Sequence, residues 1–162
     1  MAATVKQIWD WLEEVSDPEI PVLTVTDLGV VRDVDLIEDG ALITITPTYS
    51  GCPAMNEIEE NIRVVLSEKG IQNIKVKTVL SPAWTTDWMT EKGKEKLREF
   101  GIAPPEGSSS DKSVLFGKAK QVTCPHCKST ETEMISQFGS TACKSLYKCT
   151  SCLEPFDYFK CI

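Results

Sequence analysis

The sequence predicts an α+β fold, in which a small domain of helices and strands is followed by a smaller β unit held by a metal ion. The first 105 residues show helix-like and strand-like apolar patterns in alternation. From Val122 onward apolar residues are too sparse for a core, and so small a unit usually needs a metal or disulfides. A short polar stretch rich in Gly and Ser lies between and is typical of a linker. We therefore predict a first domain at 1–105, a linker at 106–120 and a second domain at 121–162.

The composition indicates a folded protein and restricts the classes of partner that it can bind. Of the 162 residues, 41% are apolar and 25% are charged, close to the average of globular proteins. The formal net charge is −7, and Lys and Arg are not clustered as binding to a phosphate backbone would require. No stretch approaches the roughly 18 apolar residues of a membrane helix, and the N-terminus lacks a signal-peptide pattern. We expect a cytoplasmic protein that binds neither nucleic acid nor membrane.

The first predicted element is an amphipathic helix over Thr4–Val15, whose apolar residues recur at helical spacing. The two prolines in Asp17–Pro21 end it, because each removes a backbone donor and disfavours helical geometry in the residue before it. Val30–Ile37 alternates apolar and acidic residues and predicts a strand. The dipeptide Asp39-Gly40 is a hairpin signal, so a return strand is expected over Ala41–Thr46.

Helix and strand patterns continue after this hairpin. A second helix is predicted to begin at Pro53, a residue suited to the first helical position, and to end at Gly70. Gln72–Leu80 predicts a third strand, and the helix before it suggests a crossover connection. A third helix over Thr90–Phe100 is expected to end at Gly101.

Four cysteines in two Cys-x-x-Cys motifs carry the strongest functional signal. The motifs are separated by 21 residues, and each allows one tight turn to direct two sulfur atoms at one ion. We predict a structural zinc ribbon with hairpin segments near Glu133–Phe138 and Ser145–Lys148, although the same thiolates could hold iron. The predicted ligands are Cys124, Cys127, Cys149 and Cys152.

The remaining thiols of this region and the single histidine are less informative. His126 lies inside the first motif, and we expect it to face solvent. A chain with one histidine and no nucleotide-binding or nucleophile motif is a poor candidate for a hydrolase. Cys143 and Cys161 are expected to be small buried residues, with a role as additional cluster thiols left open.

Cys52 stands alone between a predicted strand and the second helix. The positive end of a helix favours a thiolate, so we expect a lowered pKa and a candidate metal ligand or nucleophile, although an isolated Cys is often buried filler. Asp17, Glu19 and Asp27 are candidate neighbours, or simply turn residues. Trp84 and Trp88 could form a docking surface or lie in the core.

Three motifs resemble the iron–sulfur-assembly domain family, which includes cytosolic iron–sulfur targeting factors and SufT-type proteins. They are Asp17-Pro18-Glu19-Ile20, Asp27-Leu28-Gly29-Val30-Val31 and Thr46-Pro47-Thr48-Tyr49-Ser50-Gly51-Cys52-Pro53. The resemblance implies an α+β domain in which Cys52 handles iron or a cluster, with Asp17, Glu19 and Asp27 lining the same end.

Further segments resemble the D-subunit family of the bacterial phenylacetyl-coenzyme A epoxidase system. They are Ser81–Thr90, Gly101–Pro105, Phe138–Lys144 and Glu154–Ile162. This resemblance implies a non-catalytic maturation factor that binds zinc and transiently iron or a cluster. Its expected partners are the oxygenase or reductase subunits and the iron–sulfur assembly machinery.

Two alternatives to a maturation factor stay open. One is a zinc-stabilised adaptor that bridges epoxidase subunits without handling a cluster. The other, an enzyme using Cys52 in redox or acyl chemistry, is weaker because the sequence supplies no histidine near it as a general base.

Overall fold

The computed structural model describes residues 2–106 and 121–160. Within them the chain forms three α-helices, a short 3-10 turn at Thr86–Trp88 and seven strands. The predicted linker at 107–120 and Cys161 lie outside the described residues. In chain order the elements are α1 (Val5–Leu12), β1 (Val31–Ile37), β2 (Gly40–Ile45), α2 (Ala54–Glu68), β3 (Asn73–Thr78), α3 (Glu91–Glu99), β4 (Ile102–Ala103), β5 (Thr132–Ser136), β6 (Lys144–Cys149) and β7 (Pro155–Phe159).

The chain divides into two compact units. The N-terminal unit comprises residues up to Trp84 together with residues 88–93, and the C-terminal unit comprises residues 85–87 together with residues from Lys94 onward. None of the helices among the described residues has both the length and the apolar composition needed to cross a membrane.

In the N-terminal unit, helix α1 begins with a capping box. The Thr4 hydroxyl accepts a hydrogen bond from the Gln7 N–H, and the Gln7 side chain accepts one from the Thr4 N–H. These bonds satisfy backbone donors that have no partner inside the helix. The helix buries Ile8 and Leu12 completely, and it contacts both α2 and β1.

A three-stranded sheet forms the rest of this unit, in the order β1-β2-β3. Strands β1 and β2 form an antiparallel hairpin, and β3 returns parallel to β2 after the α2 crossover, as the sequence predicts. Ala41, Ile43 and Ile45 are fully buried on the face covered by the helices. The opposite face presents charged side chains to solvent.

The C-terminal unit contains a four-stranded sheet in the order β4-β7-β6-β5. The two predicted hairpin segments correspond to β5 and β6, but the sequence patterns missed β7 and β4. The apolar run of β7 pairs with β6 on one side and with the two-residue β4 on the other. Because β4 has only two residues, it leaves no periodicity to detect.

The α+β class is confirmed, with a small mixed domain followed by a β ribbon. The division at 1–105, 106–120 and 121–162 stays a prediction. The structure adds that Ile102–Ala103, which fall within the predicted first domain, pair with the sheet of the C-terminal unit.

Candidate functional site

Two tight turns bring four sulfur atoms together in the C-terminal unit. The Sγ atoms of Cys124, Cys127, Cys149 and Cys152 all lie within 4.8 Å of one another. Those of Cys124 and Cys152 are 3.8 Å apart, and those of Cys127 and Cys149 are 3.5 Å apart. A tetrahedral ion with metal–sulfur bonds of about 2.3 Å needs sulfur separations of about 3.8 Å. The residues therefore fit one four-coordinate ion with no position open to substrate.

Each turn has the same local geometry. The residue after the second cysteine has a positive φ in both motifs, 67° at Lys128 and 66° at Leu153. The Cys152 N–H points to the Cys149 sulfur, and this bond is the largest cause of the lowered pKa of Cys149, about 6. At Cys152 the Glu154 N–H also favours the thiolate, but burial and the neighbouring sulfurs raise the pKa to about 12. Crowded thiols do not all lose their protons unless a cation offsets the negative charge of the thiolates. A bound metal ion supplies that positive charge.

Two ligands of this site are also core residues. Cys124 and Cys149 are fully buried in the hydrophobic cluster of the unit, and Cys152 contacts that cluster. The Tyr147 ring stacks on Phe156 at 5.9 Å and meets Tyr158 edge-on at 5.6 Å. The four-cysteine site and the apolar core of this unit therefore share residues.

The other residues predicted near these motifs lie elsewhere. His126 is exposed, as expected. Cys143 is buried, and its Sγ lies 3.0 Å from the Thr141 hydroxyl rather than among the four sulfurs. Within residues 2–106 and 121–160, the cluster of potential metal ligands contains only the four predicted cysteines.

Cys52 lies in the loop between β2 and α2, at the start of the crossover. A turn holds it, because its N–H donates to the Tyr49 carbonyl at 3.2 Å and Gly51 adopts a φ of 78°. Helix α2 begins at Ala54 with Pro53 as N-cap, one residue later than the predicted start at Pro53. The side chain of Cys52 is partly buried.

The expected lowering of the Cys52 pKa is wrong. Burial raises the pKa of this thiol, and the nearby carboxylates of Glu19 and Asp17 raise it further. The Ala54 N–H and the Tyr49 hydroxyl donate to the sulfur and oppose the shift without reversing it. Desolvation of the charged form therefore outweighs the helix start.

The predicted acidic residues divide into two groups. Asp17 is buried, and its Oδ1 accepts bonds from the N–H groups of Glu19 and Ile20 at 2.8 and 2.9 Å. This turn places the Asp17 and Glu19 carboxylates where they act on Cys52. Asp27, also buried, accepts bonds from the Thr24 N–H and the Thr90 hydroxyl, which ties together two distant segments.

Sequence reasoning missed two residues of the Cys52 loop. Tyr49 supplies the hydroxyl that donates to the sulfur. Thr46 is 1% exposed, and among the described residues its hydroxyl is the one buried side-chain oxygen or nitrogen without a hydrogen-bond partner. The motif that ends in Cys52-Pro53 contains both residues, but no spacing rule distinguishes them from other loop residues.

The two tryptophans have structural partners. Trp84 is 4% exposed, and its Nε1 donates to the Leu28 carbonyl at 2.8 Å, so it does not form a docking surface. The Arg32 guanidinium lies 3.5 Å from the centre of the Trp88 ring. Gly29, with a φ of 71°, has no room for a Cβ, which would lie 2.8 Å from the Trp88 Cβ.

Comparison with known proteins assigns both parts of the chain. Residues 6–80 match the family model described as iron–sulfur cluster assembly protein, and residues 108–160 match the PaaD zinc beta ribbon domain. The chain is 52% identical over 158 residues to the D-subunit of the putative 1,2-phenylacetyl-CoA epoxidase of Escherichia coli, covering 98% of this chain and 93% of that protein. The chain belongs to the PaaD family.

The N-terminal part of this PaaD-family chain also has single-domain relatives. It is 40% identical over 101 residues to an Fe-S protein maturation auxiliary factor of Porphyromonas gingivalis, covering 61% of this chain and 92% of that protein. A crystal structure of a DUF59 domain from Bacillus anthracis superimposes with a TM-score of 0.54 and 33% identity, covering 57% of this chain and 90% of that one.

Proposed function

We propose that this chain is a non-catalytic maturation factor of the phenylacetyl-CoA epoxidase complex, acting in phenylacetate degradation. It assists the insertion of iron or an iron–sulfur cluster into the reductase or oxygenase subunit. Two findings support this role. One relative that matches nearly the whole chain is named as the epoxidase D-subunit, and relatives of the N-terminal part are named as Fe-S maturation factors.

The observation that carries the proposal is the set of donor groups around Cys52. A partly buried thiol lies within electrostatic reach of the Asp17 and Glu19 carboxylates, and the Tyr49 hydroxyl and Ala54 N–H stabilise its thiolate. Thiolates are the ligands that iron–sulfur clusters take.

One thiolate is too few to retain a cluster, since iron–sulfur clusters are normally held by four cysteines. The remaining positions on the cargo must then be filled by a donor or client protein. In the free chain the raised pKa keeps the proton on Cys52, and that proton leaves when the cargo binds. Such a site holds cargo weakly, as transfer requires.

The four-cysteine site has a different role in this proposal. Its closed geometry fits zinc as a structural ion that folds the C-terminal unit. The cargo therefore binds at Cys52, and the ribbon supports contacts with the epoxidase subunits or the assembly machinery.

The test measures iron, zinc, acid-labile sulfide and the visible spectrum of anaerobically purified wild type and of the Cys52→Ala variant. We expect one zinc per chain in both proteins and, because the site holds its cargo weakly, iron and sulfide at well below one cluster per chain in the wild type alone. Cys143→Ala is the matched control, because it removes a cysteine outside the four-cysteine site and should retain the iron.

Co-expression with the epoxidase subunits provides the functional measurement. Cys52→Ala should give a folded protein that supports little epoxidase activity. Full activity in this variant would reject cargo transfer and leave the adaptor alternative, which needs no thiol at position 52.

A further inference from the structure

The N-terminal unit has a second surface, which the proposed function does not use. It is the face of the three-stranded sheet opposite the helices, and we call it the open face. The registers of the three strands align its side chains in two rows. These rows consist of Asp33, Thr44 and Lys77, and of Asp35, Leu42 and Lys75.

Charge on the open face is separated into two columns. Asp33 and Asp35 lie on β1, and Lys75 and Lys77 lie on β3. Strand β2 separates the columns by about 9.6 Å, twice the usual strand spacing. All four side chains are exposed, and none has an ion-pair partner among the described residues. Each column therefore keeps two like charges about 7 Å apart.

The middle of the open face is less polar than its sides. Leu42 and Thr44 on β2 are partly buried, and Gly40 continues the same line with no side chain. An apolar centre with a charged rim is the usual arrangement of a protein interface.

We propose that the open face pairs with the same face of a second copy of this chain. A twofold axis parallel to β2 places the two open faces opposite each other. Strand β1 of each copy then lies over β3 of the other. The acidic column of each copy then faces the basic column of its partner, and Leu42 lies near the axis. A contact in which both copies use one patch must be self-complementary, and these columns satisfy that requirement.

The dimensions permit this contact. Stacked sheets lie about 10 Å apart, a distance that an Asp and a Lys side chain span together. Two rows on three strands make an interface below the usual size of stable complexes, so the dimer is weak and forms at concentrations on the order of 100 µM. Its ion pairs are exposed at the rim, so added salt weakens it.

Sedimentation of the full-length, metal-loaded chain tests the pairing through charge reversal. Asp33→Lys/Asp35→Lys makes both columns basic, and Lys75→Asp/Lys77→Asp makes both acidic. Each double variant should dimerise at least about tenfold more weakly than the wild type. An equimolar mixture of the two should form a heterodimer, and the fourfold variant should regain the homodimer because its columns are exchanged.

This design separates local pairing from net charge. Two Asp→Lys changes remove two negative charges and add two positive ones, which brings the formal net charge from −7 to −3 and by itself would favour self-association. Loss of the dimer in that variant therefore supports contact at the open face. The proposal is overturned by a wild type that stays at 18.0 kDa up to about 300 µM. It is also overturned if a double variant dimerises as tightly as the wild type, or if the mixture or the fourfold variant stays monomeric while circular dichroism shows it folded.

Discussion

The four-cysteine site and Cys52 place thiols in opposite settings within one chain. In the ribbon, two tight turns supply all four sulfurs, and buried ligands join the core of the unit. Cys52 is alone on a loop, with its polar neighbours drawn from two separate segments of the N-terminal unit. The comparison teaches that four converging sulfurs can saturate a tetrahedral ion, whereas one thiol on a loop cannot fill the coordination of an ion by itself.

The largest expected difference between the two units is their response to metal removal. Structural zinc contributes on the order of 10 kcal/mol or more to small zinc domains. A strong chelator should therefore unfold β5, β6 and β7 and leave the N-terminal unit folded. Amide NMR spectra would report this as loss of dispersed signals from the ribbon alone. Equal loss in both units would contradict a separate basis for their stability.

The N-terminal unit should depend instead on apolar burial. Ile43, at the centre of the sheet, is fully buried, so Ile43→Ala should cost about 2–5 kcal/mol in the free energy of unfolding of this unit. Leu80→Ala is the matched control, because Leu80 is 62% exposed and should change stability by less than about 0.5 kcal/mol. Urea titration of the metal-loaded protein measures both.

A smaller effect tests the single hydrogen bond of Trp84. Trp84→Phe keeps most of the ring and leaves the buried Leu28 carbonyl without this donor, which should cost about 1–2 kcal/mol. Trp88→Phe retains an aromatic face under Arg32 and should cost less than about 1 kcal/mol. If the two variants are equally stable, the hydrogen bond contributes nothing measurable.

The last prediction concerns the pH dependence of Cys52. Thiolates, not thiols, react with iodoacetamide, so a raised pKa moves the rise in alkylation rate to higher pH. The midpoint for Cys52 should lie above that of a short peptide containing Ser-Gly-Cys-Pro, as measured by mass spectrometry. A midpoint below that of the peptide would show that the helix start outweighs burial.

Most of the fold and the clustering of the four ribbon sulfurs could be predicted from the sequence. Apolar periodicity located the helices and β1 to β3, since each spans several repeats of its pattern. The Cys-x-x-Cys spacing indicated which sulfurs come together, because one local turn holds each pair. Strand β4 could not be predicted from the sequence, because it is defined by its pairing with a segment more than fifty residues away.

The surroundings of Cys52 were less predictable. Helix position alone indicated a lowered pKa, but burial and two carboxylates from a different turn raise it. Such a balance depends on tertiary contacts that no spacing encodes. The bond from the Tyr49 hydroxyl to the Cys52 sulfur and the unpartnered Thr46 hydroxyl also follow from tertiary contacts that sequence spacing does not encode.

The pairing of β4 with β7 limits how the ribbon can be transplanted. The ribbon family model begins at residue 108, yet Ile102 and Ala103 already form the outer strand of its sheet. A fragment starting at 108 would expose the backbone of Asp157 and Tyr158 as a bare strand edge, a template for aggregation. A fragment starting at Lys94, where the compact unit resumes, would keep this edge covered. Residues 108–160 therefore do not contain the whole sheet of the ribbon. Grafting the ribbon onto another protein requires the residues from Lys94 as well.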